Sequence, residues 1–203
     1  MTHTAFIESY LTDVRAVARD VSRPDIEHFI ECLYDAWRRD ATVFVAGNGG
    51  SASTASHFAA DLNKYASSRA DHRFKALCLN DGIPLVSALT NDEGWDNVYG
   101  YQLATFMREG DVLVAISVHG GEGSDHAGEW SQNLLKAARV VKERNGVLLA
   151  LVGFDGGLLA KNADAAIVVP AESTPQVEGF HLVLTHLVSA RLKQAIGDRD
   201  ERR

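Results

Sequence analysis

Over the first forty positions apolar residues recur at helical spacing; beyond them the pattern changes to short, unbroken apolar runs. Between residues 4 and 39, Phe6, Ile7, Leu11, Val14, Val17 and Ala18 fall on one helical face. Ser22-Arg23-Pro24 interrupts that face, with Ser22 placed to cap a second helix and Pro24 near its start. Ile26, Phe29, Ile30, Leu33 and Trp37 form the second stripe. Stripes of this kind serve as core or as a subunit interface. From residue 42 onward, runs at 42–46, 75–79, 112–117, 147–152 and 165–169 have the continuous Val/Ile/Leu/Ala character of strands covered on both faces. Helical stretches lie near 52–65, 83–90, 95–107, 131–144, 156–162 and 175–194. This alternation predicts an α/β fold with a doubly wound, mostly parallel sheet and two N-terminal helices. A single domain is expected over 1–203: residues 1–40 as a helical extension suited to an oligomer interface, 41–197 as the α/β core, and a charged tail at 198–203 that frays.

Length and composition agree with that architecture. A chain of 203 residues with 46% hydrophobic and 23% charged residues can bury one sizeable core, which excludes disordered and fibrous classes. No apolar run approaches the roughly eighteen residues of a membrane span. The start, MTHTAFIESYLTD, lacks the basic patch and apolar stretch of a signal peptide. Cys32 and Cys78 have neither disulfide-framework nor zinc-knuckle spacing, which fits a reducing cytoplasm. The net charge of −7 argues against nucleic acid as a partner.

In doubly wound sheets, ligands bind at the carboxyl ends of strands near the switch in strand order, so the loops there carry most of the chemistry. The first run ends in Gly47-Asn48-Gly49-Gly50-Ser51 directly before a helix. Glycines permit close backbone approach, and the helix N-terminus offers N–H groups to a phosphate or hydroxyl. No Gly-Lys-Ser/Thr follows, and the spacing is not GxGxxG, so neither nucleotide motif applies. The third run ends in Ser117-Val118-His119-Gly120-Gly121-Glu122-Gly123-Ser124-Asp125, a second hydroxyl- and amide-rich loop, in which Glu122 and Asp125 repel an anion unless they point away. A tight turn and a flexible surface loop are the plainer readings of these two segments.

His57 and Asp61 are four residues apart and share a helix face. Glu178, His181 and His186 share the final helix, with Gln176 just ahead of them. Carboxylate–imidazole sets on two helices can hold a transition metal, or move a proton between adjacent carbons as acid and base. Core or interface histidines are the alternative. Asn91-Asp92 follows a short helix and suits either sugar hydroxyls or an Asx turn.

Taken together, Gly47-Asn48-Gly49-Gly50-Ser51, His57-Phe58-Ala59, Thr90-Asn91-Asp92, Gly110-Asp111-Val112, Asp155-Gly156-Gly157 and the His181/His186 helix occur in the order found in the SIS (sugar isomerase) domain family. Within it, nearly the whole chain resembles the phosphoheptose isomerase group. The resemblance implies a flavodoxin-like fold, a phosphorylated sugar as substrate, and a homotetramer with sites shared between subunits. It implies an aldose–ketose isomerase converting sedoheptulose 7-phosphate to D-glycero-D-manno-heptose 7-phosphate through an enediol. Asp61 and His186 match the catalytic acid/base pair. His57, Asp61, Glu178 and His186 match positions that hold zinc in some members, so zinc or another divalent transition metal is the implied cofactor. Asn48, Gly49, Gly50, Ser51, Asn91, Asp92, Ser117, His119, Gly120, Ser124 and Glu178 match or replace substrate-binding positions. The family usually has Glu where Asp61 stands and Gln where Glu178 stands. Its Ser-Thr-Ser-Gly phosphate loop is altered here: Val118 and His119 replace two hydroxyl residues, about nine residues within 121–130 look inserted, and Ser124 or Ser131 would supply the missing hydroxyl. His181 is expected to support the site or an interface. A non-catalytic phosphosugar-binding adaptor and an isomerase of another sugar phosphate are the alternatives.

Overall fold

The protein is described by a computed structural model covering residues 1–67, 72–121 and 130–200. Two helices come first, α1 (His3–Asp20) and α2 (Arg23–Arg38). Thr2 caps α1, and the Ser22 hydroxyl accepts from the Asp25 N–H at 3.3 Å to cap α2, with Pro24 in its first turn. Five strands follow: β1 (Thr42–Gly47), β2 (Lys75–Cys78), β3 (Val112–Ile116), β4 (Val147–Gly153) and β5 (Ala165–Val169). Between and after them lie α3 (Gly50–Ala60), α4 (Ile83–Glu93), α5 (Val98–Phe106), α6 (Gln132–Glu143), α7 (Gly157–Asn162) and α8 (Thr174–Asp200).

All five strands are parallel, in the order β2-β1-β3-β4-β5. Val43 lies opposite Val112, and Val112 opposite Val147, so the apolar runs line up across the sheet. Because side chains alternate along a strand, each run supplies both faces. Val43, Val45, Val112, Val114, Ile116, Leu149 and Leu151 pack with Leu33, Phe58, Leu184 and Val188 on one side. Phe44, Ala46, Leu113, Ala115, Leu148, Ala150 and Val152 pack with Leu103, Leu134, Val141 and Leu159 on the other. At the opposite end from the loops, Asp111 ties β1 to β3: its carboxylate accepts from the Thr42 N–H at 2.8 Å and the Arg108 N–H at 2.8 Å.

The two leading helices differ in role. The α2 stripe is part of the core, with Phe29, Leu33 and Trp37 almost fully buried. On α1 only Val17 is buried, while Phe6, Ile7 and Leu11 remain exposed. Three other stretches depart from the periodic reading. The helix expected over 52–65 widens after Ala60 into a π-helical turn, Asp61–Ala66. The short helix expected at 83–90 runs on to Glu93 and takes in Asn91 and Asp92, so no Asx turn forms there. Residues 95–107 divide into a 3-10 turn, Trp95–Asn97, and α5. Because Leu33 has no exposed surface, Leu33→Ala is expected to lower stability by about 2–5 kcal/mol in urea unfolding; a loss below about 0.5 kcal/mol would remove α2 from the core.

Candidate active site

The strand order reverses between β1 and β3, and the loops leaving those two strands face each other there. In the first loop, a Cβ on Gly47 would stand 2.5 Å from the Ser51 carbonyl, and one on Gly50 would stand 2.5 Å from a Glu178 carboxylate oxygen. Gly49 has φ of +56°. This turn therefore admits no side chain at the two close approaches, and the Glu178 carboxylate lies against the start of α3.

A network of two half-buried amides (Asn48 and Asn80), one buried amide (Asn133) and a buried phenol (Tyr99) holds the loop. Asn48 and Asn133 donate to each other through their carboxamides, both at 2.9 Å. The Tyr99 hydroxyl lies 2.6 Å from the Gly47 carbonyl and 3.0 Å from Asn48 Oδ1, and accepts from Asn80 Nδ2 at 2.8 Å. Burial pushes the Tyr99 phenol up to about 12, against a smaller lowering from the Asn80 hydrogen bond, so it remains a neutral donor. Asn80, Tyr99 and Asn133 are site-building residues that sequence reasoning missed; they belong to no motif, and only their contacts across the fold reveal them.

In the second loop the Ser117 hydroxyl accepts from the Gly120 N–H at 3.1 Å and lies 3.4 Å from the Ser131 hydroxyl. Ser131 opens α6 as its N-cap, with φ of +60°. The His119 ring packs against Phe154 at 4.3 Å and meets Trp130 edge-on at 5.3 Å. Asn48, Ser51, Ser117, Val118, His119, Ser131 and Glu178 line a pocket of about 110 Å³. Of the two serines expected to replace the lost hydroxyl, Ser131 is in this pocket. Ser124 lies outside the described residues, with Glu122, Asp125 and most of the apparent insertion at 121–130. Asn91 and Asp92 bond to each other at 2.7 Å in the exposed last turn of α4 and are not among the residues lining the pocket.

Further along α3 and α8, which run side by side, stand the acid and imidazoles. His57 Nε2 is 3.0 Å from His186 Nε2, and each is 3.6 Å from Asp61 Oδ2. Asp61 is the least exposed of the three, with 20% of its side-chain surface accessible. One proton at most fits between two imidazole nitrogens at this separation. Two nitrogens and one oxygen, all within 4.8 Å of one another, suit a first-row divalent ion, whose tetrahedral ligands lie about 3.3 Å apart. Glu178 is not in this cluster. Eight residues, roughly 12 Å of helix rise, separate it from His186, and it stands over Gly50 instead.

His181, on the same helix, is fully buried, and among the described residues neither ring nitrogen has a partner in hydrogen-bonding geometry. Burial lowers its pKa from 6.5 to about 4, with a weaker opposing pull from the Val152 backbone.

The chain matches the SIS domain family over residues 9–153. It belongs to that family and, within it, to the phosphoheptose isomerase group; it is an isomerase. It is 35% identical over 175 residues to a phosphoheptose isomerase of Sulfurimonas denitrificans, covering 85% of this chain and 84% of the relative. It is 40% identical over 189 residues to the lincomycin biosynthesis protein LmbN of Streptomyces lincolnensis, covering 91% of this chain and 68% of that protein. The phosphoheptose isomerase structure from Neisseria gonorrhoeae superposes with a TM-score of 0.83 at 26% identity, covering 95% of this chain and all of the other. The fold is therefore the doubly wound SIS fold, and an isomerase assignment answers the adaptor alternative.

Two outcomes follow from this geometry. Below pH 6.5 the unfolded chain protonates His181 while the folded chain does so only near 4. The stability this imidazole contributes is full above 6.5 and declines by about 3 kcal/mol as pH falls to 4. Urea unfolding across that range is expected to be shallower by that amount in His181→Leu; equal slopes would mean the ring is solvated. Asn133→Leu removes the acceptor of the Asn48 Nδ2 and of the Leu134 N–H, and is expected to cost about 1–3 kcal/mol in the same assay.

Proposed function

We propose that the protein interconverts sedoheptulose 7-phosphate and D-glycero-D-manno-heptose 7-phosphate. The observation that carries this reading is the spacing of two sites along α3 and α8. A small hydroxyl-lined pocket surrounds Ser51, Ser117 and Ser131 at one end, and Asp61 with two imidazoles stands at the other. The separation along the helices, on the order of 10 Å, suits a long sugar chain held by its phosphate with its carbonyl end at the acid.

In this reading the Ser117 and Ser131 hydroxyls bind the phosphate, on the side of the pocket away from the Glu178 carboxylate that occupies the start of α3, while Asn48 and Ser51 orient the chain. Asp61 takes the proton from the carbon beside the carbonyl, and the electron pair moves into an enediol. His186 carries a proton from one oxygen to the other, and Asp61 returns its proton to the neighbouring carbon, so no atom is gained or lost. His57, Asp61 and His186 would hold zinc or another divalent transition metal, with Glu178 standing over the pocket instead. Such an ion would supply Lewis-acid polarisation of the carbonyl. A carboxylate that ligates an ion is a weaker base, and the shorter Asp in place of Glu sets its reach.

Support for a homo-oligomer comes from uncovered apolar surface: Phe6, Ile7 and Leu11 on α1, and a groove of about 720 Å³ between the leading helices and α8 lined by Ile26, Ile30, Phe180, Val183 and Leu187. A tetramer in the cytoplasm completes the reading. Free Cys32 and Cys78, with burial pushing the Cys78 thiol up to about 12, are in keeping with a reducing compartment.

A second reading, an isomerase of a different sugar phosphate, draws on His119, which replaces a hydroxyl residue of the family and packs against Trp130 and Phe154, and on the 40% identity to a lincomycin biosynthesis protein. Turnover of sedoheptulose 7-phosphate followed by NMR separates the two. Asp61→Asn and His186→Gln are each expected to lower kcat by about 100- to 10,000-fold with the thermal midpoint retained; full rates in both would sink the assignment. Metal analysis is expected to find about one ion per chain, lost in His57→Ala.

A further inference from the structure

We propose that Asn63 is a positioning residue that holds Asp61 against the two imidazoles by clamping the π-helical turn onto the edge of the sheet; this rests on the reading of Asp61, His57 and His186 as the reaction centre. Among the described residues β2 pairs with β1 on one side only, so the backbone groups of its other side have no strand partner. The Asn63 carboxamide meets both groups of one residue there. Its Nδ2 donates to the Ala76 carbonyl at 2.7 Å, and its Oδ1 accepts from the Ala76 N–H at 2.9 Å. A primary amide offers donor and acceptor side by side, as a peptide unit does. No carboxylate or apolar side chain of similar size can make both bonds.

Asn63 is two residues beyond Asp61 in the same turn. π turns within α-helices are rare and recur at functional sites, and here the surroundings account for the turn. Leu62 and Ala66 are buried in the core. Fully buried Ser67 donates to the Leu62 carbonyl five residues back at 2.9 Å, and accepts from the Phe74 N–H at 3.0 Å as the chain turns into β2. Lys193 of α8 lies 4.2 Å from the centre of the Tyr65 ring. With both ends of its side chain bonded to β2, Asn63 sets how far the wide turn stands from α8, and therefore where Asp61, its first residue, meets His186. Without the clamp, the segment can relax toward ordinary helical winding and carry the carboxylate off the imidazole pair. The phosphate pocket, at the far end of α3, does not depend on it.

The test is Asn63→Ala and Asn63→Asp, read by kinetics with sedoheptulose 7-phosphate and by the ring ¹⁵N shifts of His57 and His186 in histidine-labelled protein without substrate. Leu148→Ala, at the amino end of β4, serves as a control that lowers stability away from the site. Asn63→Ala is expected to lower kcat by about 10- to 100-fold with KM little changed, and to move the His57 and His186 resonances while leaving that of His181 in place. Asn63→Asp keeps the acceptor for the Ala76 N–H but sets a carboxylate against its carbonyl, and is expected to shift both readouts in the same direction. Unchanged ring shifts in both variants would overturn the proposal. So would an equal loss of kcat in Leu148→Ala, because the effect would then be one of stability alone. If the unsubstituted protein turns over no heptose phosphate, the functional reading fails and the ring shifts alone decide the role of Asn63.

Discussion

Parallel pairing of all five strands is the constraint from which the site follows. It brings every strand's carboxyl end, and the amino end of the helix behind it, to one edge of the sheet. β1 and β3 are neighbours whose chains depart to opposite sides, so their loops are left facing one another with no connection between them. Burial on both faces enforces this arrangement: Val43–Ala46, Val112–Ile116 and Leu148–Val152 have essentially no exposed surface. A slip of one residue in register would exchange the two faces of the core.

The two facing loops would still drift without the amides beneath them. Asn48 on the first and Asn133 at the start of α6 bond reciprocally, while Tyr99 and Asn80 hold the Gly47 carbonyl from below. Buried polar groups are costly unless satisfied, and here each of the four is satisfied by another. The loop's path is therefore fixed by the same bonds that make its polar residues tolerable in the interior. His181 follows the other course: burial, against a weaker pull from the Val152 backbone, lowers its pKa and keeps it neutral.

Most of the frame was legible because it rests on periodicity. The five strands, the Ser22 cap and the approach of His57 to Asp61 are all local or repetitive signals. What escaped depends on contacts distant in sequence. The π turn is enforced by the edge of β2 and by Ser67, and nothing in the local apolar spacing distinguishes it from α-helix. Glu178 was grouped with His186 because they share a helix, but its neighbour is Gly50, whose missing side chain makes the room. The burial of α2 and the exposure of α1 could not be told apart from two similar stripes. Asn63, Tyr99 and Asn133 carry no motif, since their meaning lies in which backbone or amide they face.

The same carboxamide that fastens the π turn has a further effect on how the protein behaves in a crowded solution. A bare outer strand offers its peptide groups to any extended chain that drifts alongside, and sheet-rich proteins must discourage such encounters. By filling the hydrogen-bonding positions of Ala76 with a side chain of its own, the protein interrupts that template near the middle of its shortest strand. The exposed Lys75 next to it adds an ion pair with Asp40 at the same margin. One asparagine thus occupies the exposed edge of the sheet at the place where it fastens the π turn.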